Sequence, residues 1–261
     1  MDIDIQPAHT IVTAELFLVR NAEVESSTPL SLDRDELELL EITIDGRALS
    51  QTEYELSDTA LTLSAPQDAF TLKTVVKIHP EKNTQLMGLY RSRDGYFTQC
   101  EAEGFRRITF ALDRPDVMSK YSTTIHADKT DLPLLLSNGN IEDSGEEANG
   151  RHWVTWRDPF PKPSYLFAMV AAKLDEISAD FTTKSGREVK LYVYVEPGKA
   201  EQAHFALESL QSSMRWDEKV FGLELDLDQY IIVAVGDFNM GAMENKGLNI
   251  FNTKYVLASP E

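Results

Sequence analysis

Two short stretches of this 261-residue chain combine residue types able to recognise a cationic chain end. The first is Asn239-Met240-Gly241-Ala242-Met243-Glu244-Asn245-Lys246-Gly247. It sets one carboxylate, Glu244, behind Gly241 and Ala242, which have almost no side chain. Another backbone can come close where side chains are absent, and an extended peptide can pair with an exposed strand edge. Glu244 would then meet a cationic group at the end of that peptide. The second stretch is Gln99-Cys100-Glu101-Ala102. Side chains alternate with period two along a strand, so Gln99 and Glu101 are expected on one face. An amide and a carboxylate sharing a face can jointly hold an ammonium group. Taken alone, the first stretch reads more simply as a hairpin with a surface glutamate, and the second also as a solvated strand face, which spacing does not exclude.

The elements that must position these residues are legible around them. Tyr230-Ile231-Ile232-Val233-Ala234-Val235 is an apolar run of the kind buried strands have. Leu248-Asn249-Ile250-Phe251-Asn252 alternates as a second strand. Asn245, Lys246 and Gly247 carry turn chemistry, with Gly247 free to take positive φ. Residues 200–222 hold the one long helical pattern, with Ala203, Ala206, Leu207, Leu210, Met214 and Phe221 on about one face and Gly222 as its stop. Phe181-Thr182-Thr183 and residues 188–195 flank Lys184-Ser185-Gly186-Arg187, a hairpin signature.

Further upstream, strand-forming stretches cover residues 10–20, 37–44, 54–63, 70–78, 121–128, 132–137, 153–156 and 165–172. Turn residues recur about every 8–12 positions, the spacing of a β-sandwich. Asn138-Gly139-Asn140 reads as a turn and residues 142–150 as an exposed acidic loop. Asp158-Pro159-Phe160-Pro161-Lys162-Pro163 reads as a rigid extended connector. Composition shifts after Lys173, which predicts two domains, 1–173 and 174–261. The expected fold is mostly β with one long helix.

Composition bounds the function. Hydrophobic residues make up 42% and charged residues 26%, an ordinary globular balance. A net charge of −18 argues against nucleic acid as a partner, because phosphate binding needs a basic face. It mildly favours cationic ligands. The single cysteine, Cys100, allows no disulfide within the chain, which suits a reducing compartment; it is expected as a packed thiol rather than a nucleophile. Met1-Asp2-Ile3-Asp4-Ile5 lacks the basic and apolar regions of a signal peptide. No run of about 18 apolar residues occurs, so no membrane span is expected. These features predict a cytoplasmic protein with neither membrane nor nucleic acid as a partner.

Gly241-Ala242-Met243-Glu244-Asn245 resembles the GAMEN exopeptidase signature of the zinc aminopeptidases of the gluzincin class. Residues 235–260 resemble that family's aminopeptidase N branch from Gram-negative bacteria. Gln99-Cys100-Glu101-Ala102 resembles the family's second amine-anchoring motif, with Gln99 and Glu101 at the matching positions; many members carry a different residue where Cys100 stands. Asp113-Arg114-Pro115-Asp116 resembles the family's Asp-x-Pro corner, a structural feature. The resemblance covers most of the chain and is strongest at residues 95–115, 134–140, 150–168 and 235–260.

The resemblance implies a saddle-like N-terminal β-sandwich followed by the β-rich first subdomain of a thermolysin-like catalytic domain. It implies that Glu244, Glu101 and Gln99 hold the substrate's α-ammonium group and that Gly241 and Ala242 line the peptide backbone. Met240 and Met243 become candidates for an apolar wall near the first side chain, and Asn245 completes the substrate-binding stretch. The implied partners are peptides with a free N-terminus and the remainder of the protein's own catalytic and C-terminal domains.

The implied cofactor is zinc, which in such enzymes needs three protein ligands and an open position for water. Two of those ligands come from a His-Glu-x-x-His helix, whose spacing puts both histidines on one face. His9, His79, His126, His152 and His204 form no such pair, and each is expected as a surface or structural histidine. No catalytic residue or metal ligand is therefore expected in this chain, which is read as ending before the zinc helix of a parent enzyme. Two alternatives are a zinc-free peptide-binding module and a structural β-sandwich without a ligand. The chain by itself is expected to carry no stoichiometric zinc and to show no peptidase activity; metal analysis finding one tightly bound zinc per chain would overturn this.

Overall fold

The structure, a computed structural model, describes residues 1–93 and 95–259; Pro260, the last residue of the resembling stretch, lies outside the described residues. The strands form sheets of eight, four, five and three strands. One α-helix, His204–Val220, is present among the described residues. It is shorter than the helical pattern, because Ala200–Gln202 forms a 3-10 turn before it. Gly222 takes φ 69 just beyond its end, as a helix stop requires.

The four-stranded sheet organises the rest. Its order is Leu134–Ser137, Met169–Ala172, Gly95–Gln99, Gly88–Ser92, and every neighbouring pair is antiparallel. Period-two alternation sends its side chains into two different cores. Leu89, Tyr96, Leu135, Met169 and Ala171 enter the first. Tyr90, Phe97, Leu136, Val170 and Ala172 enter the second. Sheets covered on both faces read as nearly continuous apolar runs, as Met169-Val170-Ala171-Ala172 does.

The eight-stranded sheet closes the first core with Ile3, Val12, Leu72, Val76 and Ile125, and the three-stranded sheet adds Leu32 and Leu61. The five-stranded sheet closes the second. Its order is Asp175–Thr182, Glu188–Val195, Gln229–Val235, Leu248–Asn252, Ala242–Met243. Ile231, Val233, Val235, Leu248 and Ile250 face the second core. Ile232 and Ala234 face a third core, shared with Leu207 and Leu210 of the helix. The layers therefore run sheet, sheet, sheet, helix.

Four local expectations are corrected. The acidic stretch 142–150 is not all loop: Asn140–Glu146 is the edge strand of the eight-stranded sheet. Charged residues suit such an edge because they discourage further pairing. The proline-rich connector belongs to a long strand, Arg151–Lys162. Its second neighbour reaches only as far as Arg157, so Pro159 and Pro161 interrupt no ladder on that side. Residues 165–172 split into a 3-10 turn, Ser164–Leu166, and the strand Met169–Ala172. Finally, Gln229–Val235 and Leu248–Asn252 are parallel neighbours rather than a hairpin, with Ile231 opposite Leu248. The connection between them spans about a dozen residues, enough for a parallel crossover, and it contains the small-residue strand Ala242–Met243.

An ion cluster ties the first strand to its neighbours within the eight-stranded sheet. His126 Nε2 lies 3.0 Å from Asp2 Oδ2 and its Nδ1 lies 2.6 Å from Glu147 Oε1. The hydrogen bond to Asp2, with that to Glu147, raises the imidazole pKa from 6.5 to about 9 against the cost of burial. The folded pKa lies above the unfolded one. The stabilisation is therefore fully present below about pH 6.5 and is lost as pH rises through about 9. Denaturant titrations are expected to show unfolding free energy falling across this window. A His126→Asn chain should lack that component of the slope; identical slopes in the two proteins would refute the assignment.

Candidate functional site

The chain leaves the second core at Val235 and crosses to the edge of the five-stranded sheet. Asp237 is held on the way: its carbonyl accepts from the Tyr90 hydroxyl at 3.0 Å and its carboxylate accepts from Ser92 Oγ at 2.7 Å. Phe238 is buried in the second core. Asn239 Nδ2 donates to the Gln85 carbonyl at 3.2 Å. Met240, Gly241 and Ala242 are exposed, and the Gly241 carbonyl accepts from Asn252 N at 2.9 Å.

Ala242–Met243 then pairs antiparallel with Phe251 and Ile250. It is the outermost strand of its sheet, and its far edge has no strand partner among the described residues. Strand alternation decides the side chains: Ala242 and Glu244 point to solvent, and Met243, only 1% exposed, packs into the second core. Met243 is thus a core residue and offers no exposed wall, contrary to the expectation; Met240, 40% exposed, keeps that possibility. Asn245 is also 1% exposed. Its carbonyl accepts from Leu248 N at 3.1 Å and Asn249 Nδ2 at 2.8 Å, while its own side-chain nitrogen and oxygen are buried without a partner. Gly247 takes φ 72, the left-handed turn that its residue type allows.

The second motif is built differently from the expectation. The strand Gly95–Gln99 stops at Gln99, and Gly104 N donates back to the Cys100 carbonyl at 2.8 Å. Glu101 lies in that turn, so Gln99 and Glu101 do not share a strand face. The turn is forced by close packing: a Cβ on Gly104 would lie 2.5 Å from the Gln99 carbonyl oxygen. The pair still meets, because Gln99 Nε2 donates to the Glu101 carbonyl at 3.2 Å. That bond leaves Gln99 Oε1 as a buried acceptor with no partner, next to the half-buried Glu101.

Cys100 is fully buried, and burial, with Asp113 nearby, pushes its thiol pKa well up. It behaves as a packed thiol. Asp113 has the corner role expected of it: Oδ2 accepts from Arg106 N and Nε, both at 3.1 Å, and Oδ1 accepts from Ser164 Oγ at 2.5 Å.

Both motifs hang from one pair of strands. Gln99 sits opposite Gly88 in the pairing of Gly88–Ser92 with Gly95–Gln99, and Tyr90 and Ser92 of the same pair hold Asp237. Asp237 carries no signal in the sequence. In the sequence, Asn138 reads only as part of a turn within a strongly resembling stretch.

The candidate residues supply acceptors: the carboxylates of Glu244 and Glu101 and the unpartnered amide oxygen of Gln99. The zinc implied by the resemblance does not fit the residues present. No group of three His, Cys, Asp or Glu able to hold a metal ion occurs among the described residues. His126 is engaged by Asp2 and Glu147, His79 Nδ1 lies 2.9 Å from Glu81, and His152 Nε2 contacts the Leu132 carbonyl at 2.8 Å. No metal-dependent step is derived from these side chains.

Residues 1–166 match the peptidase M1 N-terminal domain, and residues 205–261 match the peptidase family M1 domain. The chain is 54% identical over 258 residues to aminopeptidase N of Caulobacter vibrioides, covering 99% of this chain and 30% of that protein. It is 53% identical over 258 residues to aminopeptidase N of Escherichia coli, covering 99% of this chain and 29% of that protein. The crystal structure of Legionella pneumophila aminopeptidase A in complex with aspartic acid superposes with a TM-score of 0.94 at 40% identity, over 100% of this chain and 31% of that one. The chain thus spans about 30% of the length of its relatives. With its N-terminal portion matched along 166 residues and its strand architecture shared with a solved aminopeptidase, the chain belongs to the peptidase M1 family.

Proposed function

We propose that this chain supplies the chain-end recognition wall of an aminopeptidase, which hydrolyses N-terminal residues from peptides. The observation that carries the reading is the placement of an exposed glutamate beside a strand edge that has no strand partner among the described residues: Glu244 follows Ala242–Met243 directly, at the outermost position of the five-stranded sheet. A substrate peptide lies along that edge in extended form, its backbone against Gly241 and Ala242. Its α-ammonium has three N–H donors. Glu244, Glu101 and the unpartnered Gln99 Oε1 offer three acceptors. The Legionella relative, solved with a free amino acid, supports a site that takes such an amine.

This arrangement accounts for exopeptidase selectivity. An internal peptide segment brings no ammonium to these groups, leaving two carboxylates desolvated beneath a neutral chain. Zinc is the cofactor this reading implies for the full-length protein; the residues described here bind and orient substrate. The division at 173/174 is part of the same reading, supported by the end of the four-stranded sheet at Ala172 and the start of the five-stranded sheet at Asp175. So is a cytoplasmic location, supported by the single buried cysteine.

In the full-length protein, Glu244→Ala is expected to lower kcat/KM for aminoacyl substrates. Truncating one partner of a buried charged contact costs about 2–5 kcal/mol, so a fall of at least ten-fold is expected. Steady-state kinetics indistinguishable from the parent protein would remove Glu244 from the amine anchor.

A further inference from the structure

We propose that Asn138 is a positioning residue for the amine anchor, fixing where Glu244 stands relative to Gln99 and Glu101. The inference rests on the amine-anchor reading of Glu244. Asn138 follows the strand Leu134–Ser137 and is 3% exposed. Its side chain satisfies three backbone groups. Oδ1 accepts from Ala168 N at 2.8 Å, and Nδ2 donates to the Leu166 carbonyl at 3.1 Å and to the Lys246 carbonyl at 2.8 Å. The first two bonds anchor the amide beside the four-stranded sheet. The third crosses to the segment that carries Glu244, two residues after it.

The segment needs such an anchor. Ala242–Met243 is only two residues long and pairs on one side, so its own ladder contributes little to its register. Asn245 does not secure the turn with its side chain, whose nitrogen and oxygen are unpartnered. Beyond the core burial of Met243 and the bond from Asn252 N to the Gly241 carbonyl, the segment is gripped near its two ends by one edge strand of the four-stranded sheet and by the residue that follows the other. Gly88–Ser92 holds Asp237 through Tyr90 and Ser92. Leu134–Ser137 holds Lys246 through Asn138. Gln99 lies on an interior strand of that sheet, between the two grips.

The turn around Asn138 is itself rigid. Gly139 takes φ 97, and a Cβ there would lie 2.1 Å from the Arg157 carbonyl oxygen. Asn140 exchanges bonds with Asp228, accepting from its N at 2.9 Å and donating to its carboxylate at 3.0 Å. The strand leading into the segment and the carbonyl leaving it are therefore referenced to one turn. Small errors in such placement are costly, because an anchor that recognises an ammonium fixes the reacting bond at a distance.

The test is a double-mutant cycle in the full-length protein, read as kcat/KM on an aminoacyl p-nitroanilide. Asn138→Asp keeps the acceptor for Ala168 N and loses both donors. It is expected to lower kcat/KM about ten-fold, mainly through KM. In a Glu244→Gln background the same change is expected to have less than about a two-fold effect, because the anchor it places is already gone. Additive effects, or unchanged kinetics with only a lowered melting temperature, would overturn the positioning role while leaving Glu244 as the anchor. A Glu244→Gln protein with unchanged kinetics would overturn the anchor reading and this inference together. Should Asn138→Asp fail to fold, Asn138→Ala, which removes the bond to the Lys246 carbonyl without burying a charge, goes through the same cycle with the same expected non-additivity.

Discussion

Burial of the four-stranded sheet on both faces constrains everything around it. Its apolar side chains alternate between two cores, so its few polar side chains, such as Thr98 and Ser137, are taken up by backbone contacts within the fold. Each fully buried large apolar side chain contributes about 1.5–3 kcal/mol, which makes substitution by polar residues along these strands expensive. Polar groups that serve a ligand must therefore emerge where the strands stop. Gln99 is the last residue of its strand, and Asn138 follows the last residue of another.

The same burial explains which polar atoms have partners. Thr98 Oγ1 donates to the Met169 carbonyl at 3.3 Å and accepts from Met169 N at 2.9 Å, and Ser137 Oγ donates to the Ala168 carbonyl at 2.8 Å. Buried polar groups are normally satisfied in this way. Gln99 Oε1 and the Asn245 side chain, in the two candidate recognition motifs, depart from the rule, as do the hydroxyls of Thr10, Thr74 and Thr109 and the Nε atoms of Arg34 and Arg107 elsewhere in the fold. The long strand Arg151–Lys162 ends in a buried ion pair, Lys162 with Asp158 at 3.0 Å, with Lys162 Nζ 3.9 Å from the centre of the Tyr121 ring. Burial pulls the Lys162 pKa down to about 8, opposed by Asp158, with Lys246 adding to the fall. Lys246 in turn lies over the Phe160 ring at 4.7 Å and bonds Asp226. The tail of the Glu244 segment thus packs against the end of the long strand Arg151–Lys162.

Much of the strand pattern was legible because it rests on local signals. Alternation over residues 70–78 became Ala69–Ile78, and Gly186 at φ 89 lies in the predicted turn between Asp175–Thr182 and Glu188–Val195. The misreadings share a cause. Residues 142–150 looked like loop because charge normally marks solvent, yet a sheet edge is also solvent-facing. Pro159 and Pro161 looked like a connector because proline breaks ladders, yet the neighbouring strand ends before them. In each case, the missing information was which strand lay alongside.

The sequence by itself determined the β-rich class, the single helix, the buried thiol of Cys100, the left-handed turn at Gly247 and the two motifs that resemble a known recognition site. These follow from residue type and short-range periodicity, which act over a few positions. Only the tertiary structure decided that Glu244 follows an edge strand, that Met243 belongs to the core, and that Gln99 meets Glu101 through a turn instead of a strand face. It alone brought Asn138 against the Lys246 carbonyl and Asp237 against Ser92. Those contacts join residues more than a hundred positions apart, and their geometry is set by packing between sheets, which no local pattern encodes.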